Sequence, residues 1–385
     1  MARYEPPPYT VGIEEEYLLV DPATGELVSE QELQEAIIEE VKATVSEEDV
    51  GMVTPEFLKA QVEVGTAICH SIQSARDRLR ILRTAVAEAA GKRGVAPIAS
   101  STHPTARWSH LQHTDKERYA MLANDLQEVA RRLVISGMHV HVGVADNEHR
   151  IDLLGQIAYF LPHLLVLTTS SPFWQGRNTG LKCYRLAVFD ELPRTGLPEH
   201  FDSWSHYEKH VKSLVAAGAI EDGSKLWWDI RPHFKFPTLE MRIADICTRL
   251  DDGIAVAATY SCLISMLQRL RRKNQRWRNY SNMLIQENRW RAQRYGADKG
   301  LIDFGVTQTV PYPDLLDEIL ELIAEDADRL NCTEEVAHTR TILQRGTSAD
   351  NQLRVFNAAK AAGKSDSETF KEVVDWLITA TVADL

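Results

Sequence analysis

The sequence predicts an α+β fold, on three observations. Stretches with period-two alternation of apolar and polar residues all lie before residue 245. Three- and four-residue apolar periodicity dominates after residue 251. No Pro/Gly/Ser-rich linker divides the chain, so a strand-rich part (1–250) and a helix-rich part (251–385) read as one continuous domain over 1–385.

Taken in order, residues 11–20 form the first strand, stopped by the turn sequence D-P-A-T-G-E. Residues 30–45 read as a helix with an acidic outer face. Residues 71–90 form a second helix, in which Ile72, Ala75, Leu79, Leu82, Val86 and Ala89 share a stripe and Gly91 supplies the stop. A short apolar strand follows at 95–99, then a helix at 117–133 striped by Leu122, Leu126, Val129 and Leu133. Residues 138–144 and 238–244 alternate cleanly, as strands with one wet face do. Residues 153–176 lack Asp, Glu, Lys and Arg. Gly155, Pro162, His163 and a T-T-S-S-P run there favour a buried helix breaking into a loop over a bilayer span, which needs about 20 apolar residues. Helices are expected at 254–270, 313–330, 333–344, 351–362 and 367–380.

Composition bounds the function. Across 385 residues, 43 Lys+Arg stand against 55 Asp+Glu, a net charge of −12. A general nucleic-acid binder needs a positive footprint, so that class is excluded, while a locally bound nucleotide is not. The five cysteines are scattered and odd in number, which points to reduced thiols. The opening M-A-R-Y-E-P-P-P has no apolar signal core, so a cytoplasmic protein with no membrane contact is expected.

Three strands carry the candidate chemistry. Alternation puts Glu14 and Glu16 on one face and Ile13, Glu15 and Tyr17 on the other. It likewise separates His139 and His141 from Met138, Val140 and Val142, and Glu240 and Arg242 from Leu239, Met241 and Ile243. Carboxylates with neutral imidazole and no cysteine suit Mg²⁺ or Mn²⁺ and argue against structural zinc. Glu63, flanked by Val62 and Val64, shares a strand-like alternation with Gln61, whereas Glu56, following a proline, reads from spacing alone as an ordinary exposed residue. Arg231 and Arg242 are candidate anion ligands, and a structural ion pair is an equal reading for Arg231. H-E-x-x-H, G-x-S-x-G and G-x-G-x-x-G are all missing. A-A-K-A-A-G-K-S has Ala358 where a P-loop needs glycine, and reads as a helix end. The basic run starting at Arg269 reads as a solvated helix end.

Together, G-I-E-E-E-Y, S-G-M-H-V-H-V-G and L-E-M-R resemble the glutamine synthetase/γ-glutamylcysteine ligase superfamily. Within it, the chain is similar to the carboxylate-amine ligases of the glutamate–cysteine ligase type 2 family. Q-V-E-V-G-T, R-N-T-G-L-K-C-Y-R, L-P-R-T-G-L-P and E-N-R-W-R-A-Q-R-Y-G support the match. The resemblance implies an antiparallel sheet forming a funnel-shaped active site with helices behind it. It implies that Glu14, Glu16, Glu56, Glu63, His139 and Glu240 ligate metal, which reverses the spacing-only reading of Glu56. It implies that His141 faces nucleotide phosphates, Arg242 holds the substrate carboxylate and Arg231 faces the transferred phosphate. Arg177 and Arg185 fall in a matching stretch as nucleotide-binding candidates.

The activity implied is ATP- and Mg²⁺- (or Mn²⁺-) dependent ligation of a carboxylate, such as that of glutamate, to an amine, such as cysteine, through an acyl phosphate. The partners implied are small molecules and a second copy of the chain in a homodimer. Two other readings use the same cluster. One is a metal-dependent hydrolase, and the other is a nucleotide- or metal-binding protein without catalysis.

Overall fold

Seven strands form one antiparallel sheet in the computed structural model, which describes residues 9–110, 114, 124, 126–383 and 385. The strands are β1 (Val11–Val20), β2 (Val50–Pro55), β3 (Gln61–Thr66), β4 (Ala96–Ile98), β5 (Met138–Gly143), β6 (Ile230–Pro232) and β7 (Thr238–Met241). Their order is β6-β7-β5-β1-β3-β2, with β4 pairing the second half of β1. The helices that bear on the site are α1 (Gln31–Thr44), α2 (Ile72–Gly91), α3 (Arg185–Phe189), α4 (Leu250–Arg272), α5 (Asn282–Tyr295) and α6 (Asp366–Thr381). The class is α+β.

Alternation fixes what each face does. Ile13, Tyr17, Val62, Val64, Val140, Leu239 and Met241 are buried in the main core. That face is covered by α2, which packs on β1 and β3, and by α4, which packs on β5. Beyond Tyr17 the alternation in β1 stops, because Leu18, Leu19 and Val20 are all buried. Leu18 and Val20 join Ile98 and the apolar face of α6 in a separate cluster, so this half of β1 is covered on both sides. The C-terminal helix therefore helps to anchor the strand that carries the first glutamates.

Glu15 lies on the covered face, off the candidate site, as its position in the alternation requires. It is fully buried against Arg83 of α2, whose Nη2 is 2.7 Å from both carboxylate oxygens. Tyr17 donates its hydroxyl to the same carboxylate, and Arg83 donates to the carbonyls of Thr248 and Cys247. A charge pair this dry persists because each partner's hydrogen-bonding capacity is taken up.

Most elements fall where the pattern predicts them. Ser71 caps α2 by accepting from the Ser74 N–H, and Ser365 caps α6 in a reciprocal capping box with Glu368. The A-A-K-A-A-G-K-S stretch is the end of the helix Ser348–Ala361, with Gly363 at φ +77 just beyond it. Of the helix expected over 117–133, residues 117–123 and 125 lie outside the described residues; its described end is helical at Glu128–Arg131. The strand expected to run to residue 244 ends at Met241, because the N–H groups of Arg242 and Ile243 both turn to the Asp229 carbonyl. The C-terminal third is mostly helical, as expected, with one hairpin in which Leu301–Asp303 pairs with Gln308–Val310. Asn147–Thr168 and Leu250–Arg272 are long and apolar enough to cross a membrane, but 83% and 94% of their apolar windows are buried inside the protein. Both are therefore core helices.

Candidate active site

Directly paired residues on neighbouring strands share a face of a sheet. The register therefore assembles three rows of side chains on the face opposite the core. One runs Gly65–Glu14–His139 across β3, β1 and β5. A second runs Thr54–Glu63–Glu16 across β2, β3 and β1. A third runs Gly12–His141–Glu240–Arg231 across β1, β5, β7 and β6. These rows floor a cleft of about 420 Å³ whose walls include Glu56, Arg185, Arg242 and Lys225. Here the polar face of the sheet opens, where a funnel was expected.

Glu14 bridges both histidines: Oε2 is 3.1 Å from His139 Nδ1, and Oε1 is 3.2 Å from His141 Nε2. The latter approach is off a hydrogen-bonding angle, so His141 Nε2 is a buried nitrogen without a hydrogen bond. Its Nδ1 lies 3.2 Å from Thr238 Oγ1. Glu16 accepts from the Gly137 N–H at 2.9 Å, and Glu63 accepts from the Thr54 hydroxyl at 3.2 Å.

Arg231 grips Glu240 with two nitrogens, at 2.8 and 3.2 Å, and Arg242 pairs with the same carboxylate. Both readings of Arg231 therefore hold in part: it is ion-paired, and it lines the cleft. Arg185 is buried in the wall and donates to the Arg242 carbonyl at 3.3 Å. Gly137 makes room for it, since a Cβ there would lie 2.6 Å from Arg185 Nη2.

The electrostatics divide the carboxylates into two sets. Burial opposes ionisation of Glu240, but Arg242 and Arg231 outweigh it and hold the carboxyl well below the usual range. Burial also opposes ionisation of Glu14, and the His139 bond together with the close approach of His141 reverses that effect. Glu16 is pushed the other way, up to about 8, first by burial and then by the Glu56 charge. Glu63 rises for the same two reasons, with Glu14 and Glu16 adding to them. Burial and the Arg242 charge hold His139 down to about 4, so it is neutral and able to ligate metal at pH 7.

The sequence profile of glutamate-cysteine ligase family 2 matches residues 10–375. The chain belongs to this family. A relative from Rhodospirillum rubrum, provisionally named glutamate–cysteine ligase 2, is 59% identical over 98% of this chain and 97% of its own length. One of the same provisional name from Jannaschia sp. is 50% identical over 98% of each chain. Among solved structures, a glutamate–cysteine ligase from Francisella tularensis in complex with AMP is similar over 99% of this chain and 90% of that one. Its TM-score is 0.68 at 13% identity, a likeness of fold alone. A bifunctional glutathione synthetase from Pasteurella multocida is similar over 97% of this chain and 52% of that one, with TM-score 0.67 at 15% identity. As a member of glutamate-cysteine ligase family 2, the protein is an ATP-dependent ligase that forms C–N bonds.

The donor set of this ligase fits a hard divalent cation. Glu14, His139 and Glu240 form one group, and Glu16, Glu63 and His139 another; in each, the ligand atoms lie within 4.8 Å of one another. Oxygen donors with one imidazole suit Mg²⁺ or Mn²⁺. The raised Glu16 and Glu63 carboxyls fit as well, because a cation would ionise them.

Ten of the eleven predicted site residues are brought together at this face. Glu14, Glu16, Glu56, Glu63, His139, Arg185, Arg231, Glu240 and Arg242 line the cleft. His141 sits at its floor, in contact with Glu14 and edge-on to His233. Arg177 is the exception: it stands exposed on a two-residue hairpin strand and is not among the residues that line the cleft. Thr54, Gln61, Lys225, Trp227 and His233 also line the cleft and were not anticipated. For the last three, the aromatic–basic run K-L-W-W-D-I-R-P-H-F-K-F was the available signal.

Proposed function

We propose that the protein joins the γ-carboxylate of glutamate, or a closely similar acid, to an amine such as cysteine, at the expense of ATP and through an acyl phosphate. The observation that carries the reading is the pair of donor groups sharing His139, set beside two arginines on one sheet face. Glu14, Glu16, Glu56, Glu63, His139 and Glu240 would hold Mg²⁺ or Mn²⁺. When bound, such ions neutralise phosphate charge and polarise the bond to be broken.

The remaining steps rest on the chain's own residues. Arg242 orients the acid by its carboxylate, and Arg231 and Arg185 supply positive charge to the transferred phosphoryl group. His141 stands toward the phosphates. A carboxylate oxygen of the acid attacks the γ-phosphorus, the bond to the bridging oxygen breaks, and ADP leaves. The amine nitrogen then attacks the acyl carbon, loses a proton, and expels inorganic phosphate. No protein nucleophile is required, which accords with the absence of a G-x-S-x-G motif in the sequence. Positioning and charge neutralisation carry such a reaction.

The reading extends to residues 1–385 as one catalytic unit, supported by the packing of α6 on β4. It places the enzyme in a reducing compartment such as the cytoplasm, supported by five free and buried cysteines. The test is ADP release with ATP, Mg²⁺, glutamate and a panel of amines. Amine-dependent ADP is expected. Substrate cleavage with metal alone would favour a hydrolase, and ATP binding with no ADP would favour a non-catalytic binder.

A further inference from the structure

Arg289 of α5 lies outside the cleft and is fully buried. Its guanidinium holds two carboxylates at once. Nε and Nη2 donate to Asp229 at 2.7 and 3.0 Å, and Nη1 and Nη2 donate to Asp190 at 2.6 and 2.8 Å. Neither aspartate lines the cleft, but each is attached to something that does. Asp190 closes α3, the short helix that begins with Arg185 and ends with the cleft residue Phe189. Asp229 lies two residues before Arg231, and its carbonyl accepts from the N–H groups of Arg242 and Ile243 at 2.8 and 3.0 Å.

Arg242 is thus held through both of its backbone polar groups. Its N–H is bound by the Asp229 carbonyl, and its carbonyl is bound by the Arg185 guanidinium. These two holds come from separate segments, and Arg289 ties those segments together. We propose that Arg289 is a positioning residue: by clamping Asp229 and Asp190 it fixes Arg242 and Arg185 relative to one another, and so sets the anion-binding geometry of the cleft. This rests on the ligase reading, in which Arg242 holds the acid substrate. Lysine could not replace it, because a single ammonium cannot serve two carboxylates in the planar, two-pronged manner seen here. A displacement of about 1 Å in a binding group can cost about 100-fold in rate, so a residue remote from the chemistry can matter this much.

The test compares full-length wild type, R289K, R242K and R242K/R289K. ADP release is measured with ATP, Mg²⁺, glutamate and the amine that supports most turnover, and each variant is checked by thermal unfolding. R289K is expected to fold and to lose about 100-fold in kcat/KM, chiefly through KM for the acid, with KM for ATP unchanged. The double variant is expected to lose clearly less than the product of the two single losses, since Arg289 acts in part through Arg242. Wild-type kinetics in R289K, or a double variant in which the two losses multiply, overturns the inference. If R289K does not fold, D190N cuts one arm at the half-exposed carboxylate and must show the same KM effect and the same non-additivity with R242K; otherwise the inference falls. Additive losses in an active enzyme sink this inference alone. A wild-type chain that releases no amine-dependent ADP sinks the ligase reading, and this inference with it.

Discussion

Glu14 faces His139 across the β1–β5 ladder, and its second oxygen reaches His141 two residues further along the same strand. One carboxylate thereby joins both imidazoles on the open face of the sheet. Their interaction holds Glu14 ionised where burial alone would protonate it. A carboxylate kept charged beside the neutral His139 is suited to accept a cation, and the following variants separate that role from simple structural support.

Glu14→Gln removes the charge but keeps an amide of the same shape. No buried arginine depends directly on Glu14, so stability to urea should change by less than about 1 kcal/mol. ADP release should fall by about 100-fold or more, because a site donor is worth a few kcal/mol of transition-state stabilisation. Wild-type turnover in this variant would remove Glu14 from the metal site.

Glu240→Gln should behave differently. Its carboxylate is the shared counter-charge of Arg231 and Arg242, all three being largely buried. Without it two guanidinium charges are left with one neutral amide, at a cost of about 3–5 kcal/mol. Loss of turnover here should be accompanied by a lower urea midpoint in metal-free buffer. An unchanged midpoint would show that the arginines find other partners.

Glu15→Gln tests the opposite face. Arg83 would lose its buried counter-charge, again costing about 3–5 kcal/mol in urea unfolding. Turnover per folded molecule should stay at the wild-type level, since Glu15 lies across the sheet from the cleft. A stable but inactive variant would contradict that placement.

The contrast among these glutamates was partly legible in the sequence. Alternation is local, so a single strand suffices to separate Glu15 from Glu14 and Glu16, or His139 from Val140. Register is not local. That Glu16 meets Glu63, or Glu240 meets His141, depends on which strands pair and with what offset, and no single stretch encodes that. Glu56 follows a proline at the end of β2, where spacing alone suggested an exposed residue. Arg185 and Lys225 lie in segments without periodicity. Arg289 sits in E-N-R-W-R-A-Q-R-Y-G, for which the sequence pattern offered no element, and its burial follows from Asp190 and Asp229 meeting it from two distant segments.

Acid should destabilise the protein through His103, away from the cleft. Its Nε2–H donates to the Gly25 carbonyl at 2.9 Å, while Nδ1 accepts from the N–H groups of Thr105 and Ala106. A second proton would face those two donors, and burial holds the imidazole down to about 4. Between pH 6.5 and 4 the unfolded chain binds a proton that the folded one refuses. The stability is therefore full above the unfolded value and drains as pH falls toward 4. The slope from this one group approaches about 1.4 kcal/mol per pH unit. His103→Gln should flatten the urea-stability profile over that window, and an unaltered slope would rule His103 out as its source.

The central claim is that ATP activates the acid by phosphorylating its carboxylate. Glutamate labelled with ¹⁸O in the γ-carboxylate, incubated with ATP, Mg²⁺ and an amine that supports turnover, tests it directly through mass analysis of the released phosphate. The account predicts one ¹⁸O per phosphate, because the carboxylate oxygen that attacks the γ-phosphorus departs with it. Phosphate free of the label, released alongside amide product, would contradict the account.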